Sequence, residues 1–247
     1  MKSTDPKLPS VIMRRIMAHK DFHEVATQVS RNASGKIYLV GGKVYRTAIE
    51  VIHGYYCGAN EADWDWLCVG EVVKPDRLFL TDGWNNSMNK YYNYKDNSLC
   101  LKKTFATPWH THMASRPTET YQAKIDIIGI KDVVKGCPDY PREGKLQDYL
   151  DVVPLTVQSI ALSTDSGQHY PALYGVKAIK AIERKIIEVN NSVGCLPNLD
   201  LPRYIKEKAD SLNFTYTNGT TKIPCNCYAK DNIALWNYGC QNKLNHC

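Results

Sequence analysis

The chain has 247 residues, of which 43% are hydrophobic and 23% charged, with 15 Gly and 12 Pro. These values lie near globular averages and exclude collagen-like, coiled-coil and wholly disordered chains, while the length suits one large domain or one domain with a small appendage. Lys and Arg total 31 against 25 Asp and Glu, a net charge of +6 that suits a polyanionic partner, and no apolar run approaches the roughly 20 residues of a membrane-crossing helix, so no membrane partner is expected.

Met1-Lys2-Ser3-Thr4-Asp5-Pro6-Lys7 has charge but no apolar segment behind it, which does not read as a secretory signal and gives a cytoplasmic expectation. From Pro9 to Ser30 the residues Val11, Ile12, Ile16, Met17, Phe22, Val25 and Val29 recur at threes and fours, predicting a helix or a broken pair of helices. Asn32-Ala33-Ser34-Gly35 is a turn, and Lys36-Ile37-Tyr38-Leu39-Val40 is a β-prone run that stops at Gly41-Gly42. Lys43 to His53 carries Val44, Ala48, Val51 and Ile52 on one side, and Gly54 stands where a C-cap glycine would. The local pattern is strand, double-glycine turn, helix.

Asp63-Trp64-Asp65-Trp66-Leu67-Cys68-Val69 alternates as a second strand, so Asp63 and Asp65 share a face with Cα atoms about 6.6 Å apart. Residues 70–118 give no clear pattern beyond a loop at Asp82-Gly83-Trp84-Asn85-Asn86. Gln122 to Ile130 is a third strand, β-branched and apolar except for Asp126 in its middle. Val152 to Leu162 is an amphipathic segment, Asp165-Ser166-Gly167 a turn, Val176 to Val189 a basic amphipathic helix, and residues 201–212 one more short helix. Beyond it the chain is Cys-rich and irregular. Cys57, Cys68, Cys100 and Cys137 sit among apolar segments in the manner of reduced core thiols.

Three carboxylates on strands, two of them spaced Asp-X-Asp, repel one another unless a cation intervenes. Mg²⁺ takes oxygen ligands, commonly carboxylates together with substrate phosphates, and a pair of such ions stabilises phosphoryl transfer. Gly41 and Gly42 let backbone N–H groups approach a phosphate at a helix N-terminus, and Lys43 and Arg46, one helical turn apart, complete a candidate triphosphate clamp.

Leu39-Val40-Gly41-Gly42-Lys43-Val44-Tyr45-Arg46, then Gly54, then Asp63-Trp64-Asp65 resembles the head-domain signature of the class II CCA-adding enzymes and bacterial poly(A) polymerases, in the DNA polymerase β-like nucleotidyltransferase superfamily. Thr156 to Leu162, Asp165-Ser166-Gly167, Tyr174-Gly175 and the basic helix extend the likeness over roughly residues 36–190. The resemblance implies an α+β fold, a nucleotidyltransferase head domain with a five-stranded mixed sheet flanked by helices and a short helical, Cys-rich C-terminal extension. It divides the chain into an N-terminal helical segment (1–35), a catalytic domain (36–175), and a neck-like segment with a Cys-rich tail (176–247). It also implies that Asp63 and Asp65 hold two Mg²⁺, with Asp126 as the third carboxylate, both a metal ligand and an aid to the attacking 3′-hydroxyl. Gly41, Gly42, Lys43 and Arg46 would bind the nucleotide, with Gln158 standing where the family has Asn. Val152-Val153-Pro154-Leu155 replaces the family's Arg-Arg-Asp, and the neck motif that reads ATP and CTP has no clear match in 191–215.

The functional expectation is metal-dependent transfer of a nucleoside monophosphate from an NTP to an RNA 3′ end, tRNA above all. The alternatives are a toxin-like or regulatory nucleotidyltransferase acting on tRNA or protein, and a catalytically degenerate RNA-binding protein. Lys177, Lys180, Arg184 and Lys185 offer a face for RNA phosphates, although such faces are usually only solvated. His110 and His112 form a loop pair for which no ligand is the ordinary reading. Cys225, Cys227, Cys240 and Cys247, with His246, supply enough ligands for a structural Zn²⁺, against free thiols or disulfides.

Overall fold

Helices α1 (Leu8–Met17) and α2 (Phe22–Asn32) bury Ile12, Ile16, Val25 and Val29 and leave Arg14, Arg15 and Arg31 to water, so the early periodicity resolves into a broken pair. The structure is a computed structural model that describes residues 6–81, 83–87, 98–106, 120–135, 143–163, 171–190 and 200–217. Strand β1 (Lys36–Val40) runs directly into α3 (Gly41–His53), which ends at Gly54 in the left-handed region with its N–H on the Glu50 carbonyl. Then come β2 (Trp64–Val69), β3 (Asn85–Asn86), β4 (Ser98–Ala106), β5 (Thr120–Gly129), α4 (Ile130–Lys135) and α5 (Leu146–Val152). The chain continues through β6 (Ala161–Ser163), β7 (Leu173–Tyr174), α6 (Val176–Arg184), β8 (Ile186–Ile187), α7 (Leu201–Leu212) and β9 (Thr215–Tyr216).

The first seven strands form a mixed sheet in the order β3-β4-β5-β2-β1-β6-β7, in which β2 and β5 run parallel and the other neighbours antiparallel. The fold class is therefore α+β, as expected. The sheet exceeds the five strands implied by the resemblance because β3 pairs with Leu101–Lys102 at one edge and β7 with Ala161–Leu162 at the other.

Alternation along the strands separates two apolar layers. Leu39, Trp64, Trp66, Ile125 and Ile127 face a core shared with Ile12, Ile16, Ala48, Ile49, Ile179, Ile182, Ile205 and Leu212, so α1, α3, α6 and α7 cover one side. Tyr38, Val40, Leu67 and Ile128 face a smaller cluster with Ile130, Val133, Tyr149, Leu150 and Val152 on the other. Helix α3 is buried nearly all round, which is why its polar residues must find partners inside the protein.

The helix expected over 176–189 is shorter. Lys185 takes φ +55 as the left-handed C-cap of α6, and Ile186–Ile187 then pairs in parallel with Thr215–Tyr216. The amphipathic stretch 152–162 breaks into the end of α5, a 3-10 turn at Thr156–Gln158 and the start of β6. Cys57, Cys68 and Cys100 are free and buried, as expected.

Candidate active site

The turn from β1 into α3 fixes the geometry around which the site is built. Gly41 adopts φ +68, and a Cβ added there would lie 2.1 Å from Asp65 Oδ2, so glycine is required both by the backbone and by the carboxylate seated against it. Val40 pairs with Asp65 across the antiparallel β1–β2 ladder, and Asp65 pairs with Asp126 across the parallel β2–β5 ladder. Val40, Asp65 and Asp126 thus form one row across the sheet, and Asp63 joins the same face by alternation.

Asp126 is 2% exposed, and Lys124 accompanies it two residues earlier on β5. The Lys124 ammonium lies 2.7 Å from Asp126 Oδ2 and 3.1 Å from Asp63 Oδ2, a charge-assisted bridge between two carboxylates. Burial opposes the charge on Lys124, but Asp126 and then Asp63 outweigh it and raise the lysine pKa, so the ammonium stays protonated. On the neighbouring strand, burial pushes the Cys100 thiol up to about 12, reinforced by the charge and hydrogen bond of Asp126.

A cavity of about 420 Å³ opens beside the glycine turn. Its wall includes Gly41, Gly42, Arg46, Asp63, Asp65 and Gln158, so six of the sequence candidates meet there. Tyr45, Tyr149, Tyr204 and Lys208 line it as well. Gln158 Nε2 donates to Tyr204 Oη at 2.7 Å, and Lys208 Nζ lies 3.3 Å from Tyr45 Oη and 5.5 Å from the Tyr204 ring centroid. Tyr149 is 3% exposed, and burial followed by the charge of Asp65 raises its pKa far above the usual phenol value, so it faces the site neutral. Arg46 donates to the Cys57 carbonyl and stays at the cavity wall.

Two candidates stand elsewhere. Lys43 is 1% exposed, donates to the Asn60 carbonyl at 3.1 Å and sits 4.4 Å from the Trp64 ring centroid, on a separate groove of about 830 Å³ lined also by Lys20, Tyr121 and Lys124. Burial lowers its pKa to about 8, partly offset by Asp21, Asp63 and Glu61. Asp126 lines neither space, being covered by Lys124. Asp63 lines both, together with Glu61 and Ala62.

The donor set bears on the metal that the sequence implies. Asp63 and Asp65 offer hard oxygens to one cavity next to a helix N-terminus, which fits a divalent cation bound jointly with phosphates. Among the described residues no three His, Cys, Asp or Glu side chains form a group that would hold a metal ion, and Asp63 and Asp126 converge on Lys124 instead. Of the other sequence candidates, His110, His112, Asp165-Ser166-Gly167, Cys137, Cys225, Cys227, Cys240, His246 and Cys247 lie outside the described residues. Lys177 donates to Asn190 Oδ1 at 3.0 Å, Lys180 and Arg184 are exposed, and Lys185 Nζ lies 5.0 Å from the Tyr55 ring centroid.

Sequence reasoning missed Tyr204 and Lys208, whose i,i+4 spacing on α7 was a usable signal because Ile205, Ala209 and Leu212 mark the adjoining buried face. Lys124 was also legible in principle, since it stands two residues from Asp126 on one strand face.

No protein-family model and no curated protein matches the chain. Among solved structures it is similar to a tRNA-processing enzyme in apo form I, at 16% identity and a TM-score of 0.47, covering 90% of this chain and 47% of that one. A complex of a CCA-adding enzyme with ATP matches at 14% identity and a TM-score of 0.43, covering 87% of this chain and 40% of that one. A tRNA-processing enzyme with CTP matches at 15% identity and a TM-score of 0.40, covering 76% and 42%. The chain spans less than half the length of these structures. At such values the likeness is coarse and decides nothing about the chemistry. No helix among the described residues is long and apolar enough to cross a membrane.

Proposed function

We propose that this chain is a nucleotidyltransferase that moves a nucleoside monophosphate from an NTP to an RNA 3′-hydroxyl, with tRNA as the acceptor, releasing pyrophosphate. The observation that carries the reading is the seat of Asp65 against the Gly41 backbone at the wall of a 420 Å³ cavity. A carboxylate held this close to a glycine turn gives a nucleotide triphosphate both backbone N–H donors and a place for its accompanying cation.

In this scheme Gly41 and Gly42 bind the triphosphate at the N-terminus of α3, and Arg46 and Lys208, each 5.9 Å from the Tyr45 ring centroid, offset its charge from the cavity wall. Tyr204, with its hydroxyl fixed by Gln158, and the neutral Tyr149 present an apolar wall to the nucleoside. Asp63 and Asp65 would hold a divalent cation, which when bound neutralises the phosphates and helps the pyrophosphate depart. The acceptor reaches the reacting phosphorus from the 830 Å³ groove, because that groove shares Glu61, Ala62 and Asp63 with the nucleotide cavity. Catalysis here is positioning and charge stabilisation, and the 3′-oxygen displaces pyrophosphate with its proton passing to solvent or to Asp63.

The test is incubation of the full chain with each NTP and total RNA, followed by sequencing of RNA 3′ ends. Untemplated nucleotides on tRNA 3′ ends are the expected result. Label found only on protein would reassign the site to a protein-modifying transferase, and no transfer to any acceptor would refute the reading.

A further inference from the structure

We infer that Lys124 is a positioning residue that serves as a built-in counter-cation, its ammonium standing between Asp63 and Asp126 where a second divalent ion would otherwise bridge them. The inference rests on the reading of Asp63 and Asp65 as the site of one cation and deepens it by giving Lys124 the place of the second ion that the resemblance implies. Lys124 and Asp126 lie two residues apart on β5 and therefore share a face, and that face looks across the β2–β5 ladder at Asp65. The ammonium reaches both Asp126 Oδ2, at 2.7 Å, and Asp63 Oδ2, at 3.1 Å. The Asp126 side chain is 4% exposed, whereas that of Asp63 is 41% exposed.

The division of labour follows from electrostatics. A carboxylate as buried as Asp126 needs a cation beside it, and the strand itself provides one. A metal ion at the same point would face a unit positive charge within about 4 Å, a strong repulsion in a partly buried setting. Asp63 and Asp65 remain on the cavity wall for the ion that travels with the triphosphate, while Lys124 holds Asp63 toward the groove that admits the acceptor. Asp126 thereby acts through Lys124 and touches neither substrate space.

The experiment measures Mn²⁺ binding to the nucleotide-free full chain by the EPR signal of unbound Mn²⁺, with thermal melts in EDTA and in Mn²⁺. The wild type is expected to bind one Mn²⁺, lost in Asp65→Asn. Lys124→Met is expected to gain a second Mn²⁺, or to bind the first on the order of ten-fold more tightly or better, and to melt higher in Mn²⁺ than in EDTA by a wider margin than wild type. The double variant Lys124→Met/Asp126→Asn removes both charges and should lose that gain. Two Mn²⁺ on the wild type, or Lys124→Met binding Mn²⁺ as wild type does, would overturn the inference. If Lys124→Met folds only in Mn²⁺ the inference stands; if it fails to fold even then while the double variant folds, a metal ion cannot take the lysine's place and the inference falls. Retention of wild-type Mn²⁺ binding in Asp65→Asn would instead strike at the proposed cation site, whatever Lys124→Met does.

Discussion

Replacing Gly41 by Ala should damage both fold and activity, while the same change one residue later should leave the stability of the fold nearly intact. Gly41 has φ +68, where an L-residue other than glycine is disfavoured by about 1–2 kcal/mol. Its new Cβ would also fall 2.1 Å from Asp65 Oδ2 and 2.9 Å from Asp65 Cγ, so the carboxylate must move or the turn must open. Together these give an expected loss of about 2–4 kcal/mol, near the upper end of single substitutions. Gly42 has no positive φ, and its added Cβ would meet Ala62 Cβ at 3.2 Å, a tight contact against a helix gain of about 0.5–1 kcal/mol. Gly42→Ala should therefore lie within about 1 kcal/mol of wild type. Because Asp65 moves in the first variant, nucleotide incorporation should fall on the order of 100-fold in Gly41→Ala. Urea unfolding and incorporation of labelled NTP, run side by side, provide the check. Equal stability and equal activity of the two variants would refute the packing of Asp65 on the turn.

Lys43→Met should stabilise the protein by about 2 kcal/mol at pH 7, because burial lowers the lysine pKa from 10.5 to about 8 at about 1.4 kcal/mol per unit, less one lost hydrogen bond. With the folded pKa below the unfolded one, the cost of the charge is full below pH 8 and fades toward pH 10.5, so the wild type should close the gap as pH rises through that window. Denaturant melts at pH 7 and pH 10 would show it, and a gap constant across that range would count against a buried ammonium. Lys208→Ala should raise the KM for NTP about ten-fold with little change in kcat, as expected for a charged contact worth about 1.5 kcal/mol, and steady-state kinetics would detect it. Asn190 is 1% exposed and its Nδ2 donates to the carbonyls of Leu150 at 2.9 Å, Val153 at 3.1 Å and Asp151 at 3.2 Å. The Leu150 carbonyl keeps the Ser159 hydroxyl at 2.7 Å, so Asn190→Ala should cost about 2–4 kcal/mol through the Asp151 and Val153 carbonyls and the Lys177 ammonium that lose this partner, measurable as a lower urea midpoint.

The strand, glycine turn, helix and Asp-X-Asp strand could be read because each is specified by its own residues. Period 2 fixes Asp63 and Asp65 on one face, and glycine marks the positive φ at Gly41 and Gly54. Strand β4 was not legible: Ser98–Ala106 carries Lys102, Lys103 and Thr104 in sequence, and its strand state is settled by nine residue pairings with β5. The early end of α6 was hidden for the same reason, since β8 forms only when β9, nearly thirty residues later, lies beside it. Within the site, adjacency in sequence misled. Lys43 and Arg46 are one turn apart, yet the helix turns Lys43 onto Trp64 and the Asn60 carbonyl while Arg46 remains at the nucleotide cavity. Lys208 reaches Tyr45 across 163 residues of chain, a closure that no local pattern encodes.

Exchange of Asp65 for Asn alters one oxygen to nitrogen and removes one negative charge beside Gly41, so it separates charge from shape. With labelled NTP and tRNA, Asp65→Asn should incorporate nucleotide on the order of a thousand-fold more slowly than wild type while its circular dichroism and melting temperature stay close to wild type. Incorporation at the wild-type rate by the folded variant would contradict a nucleotidyl-transfer site at the glycine turn.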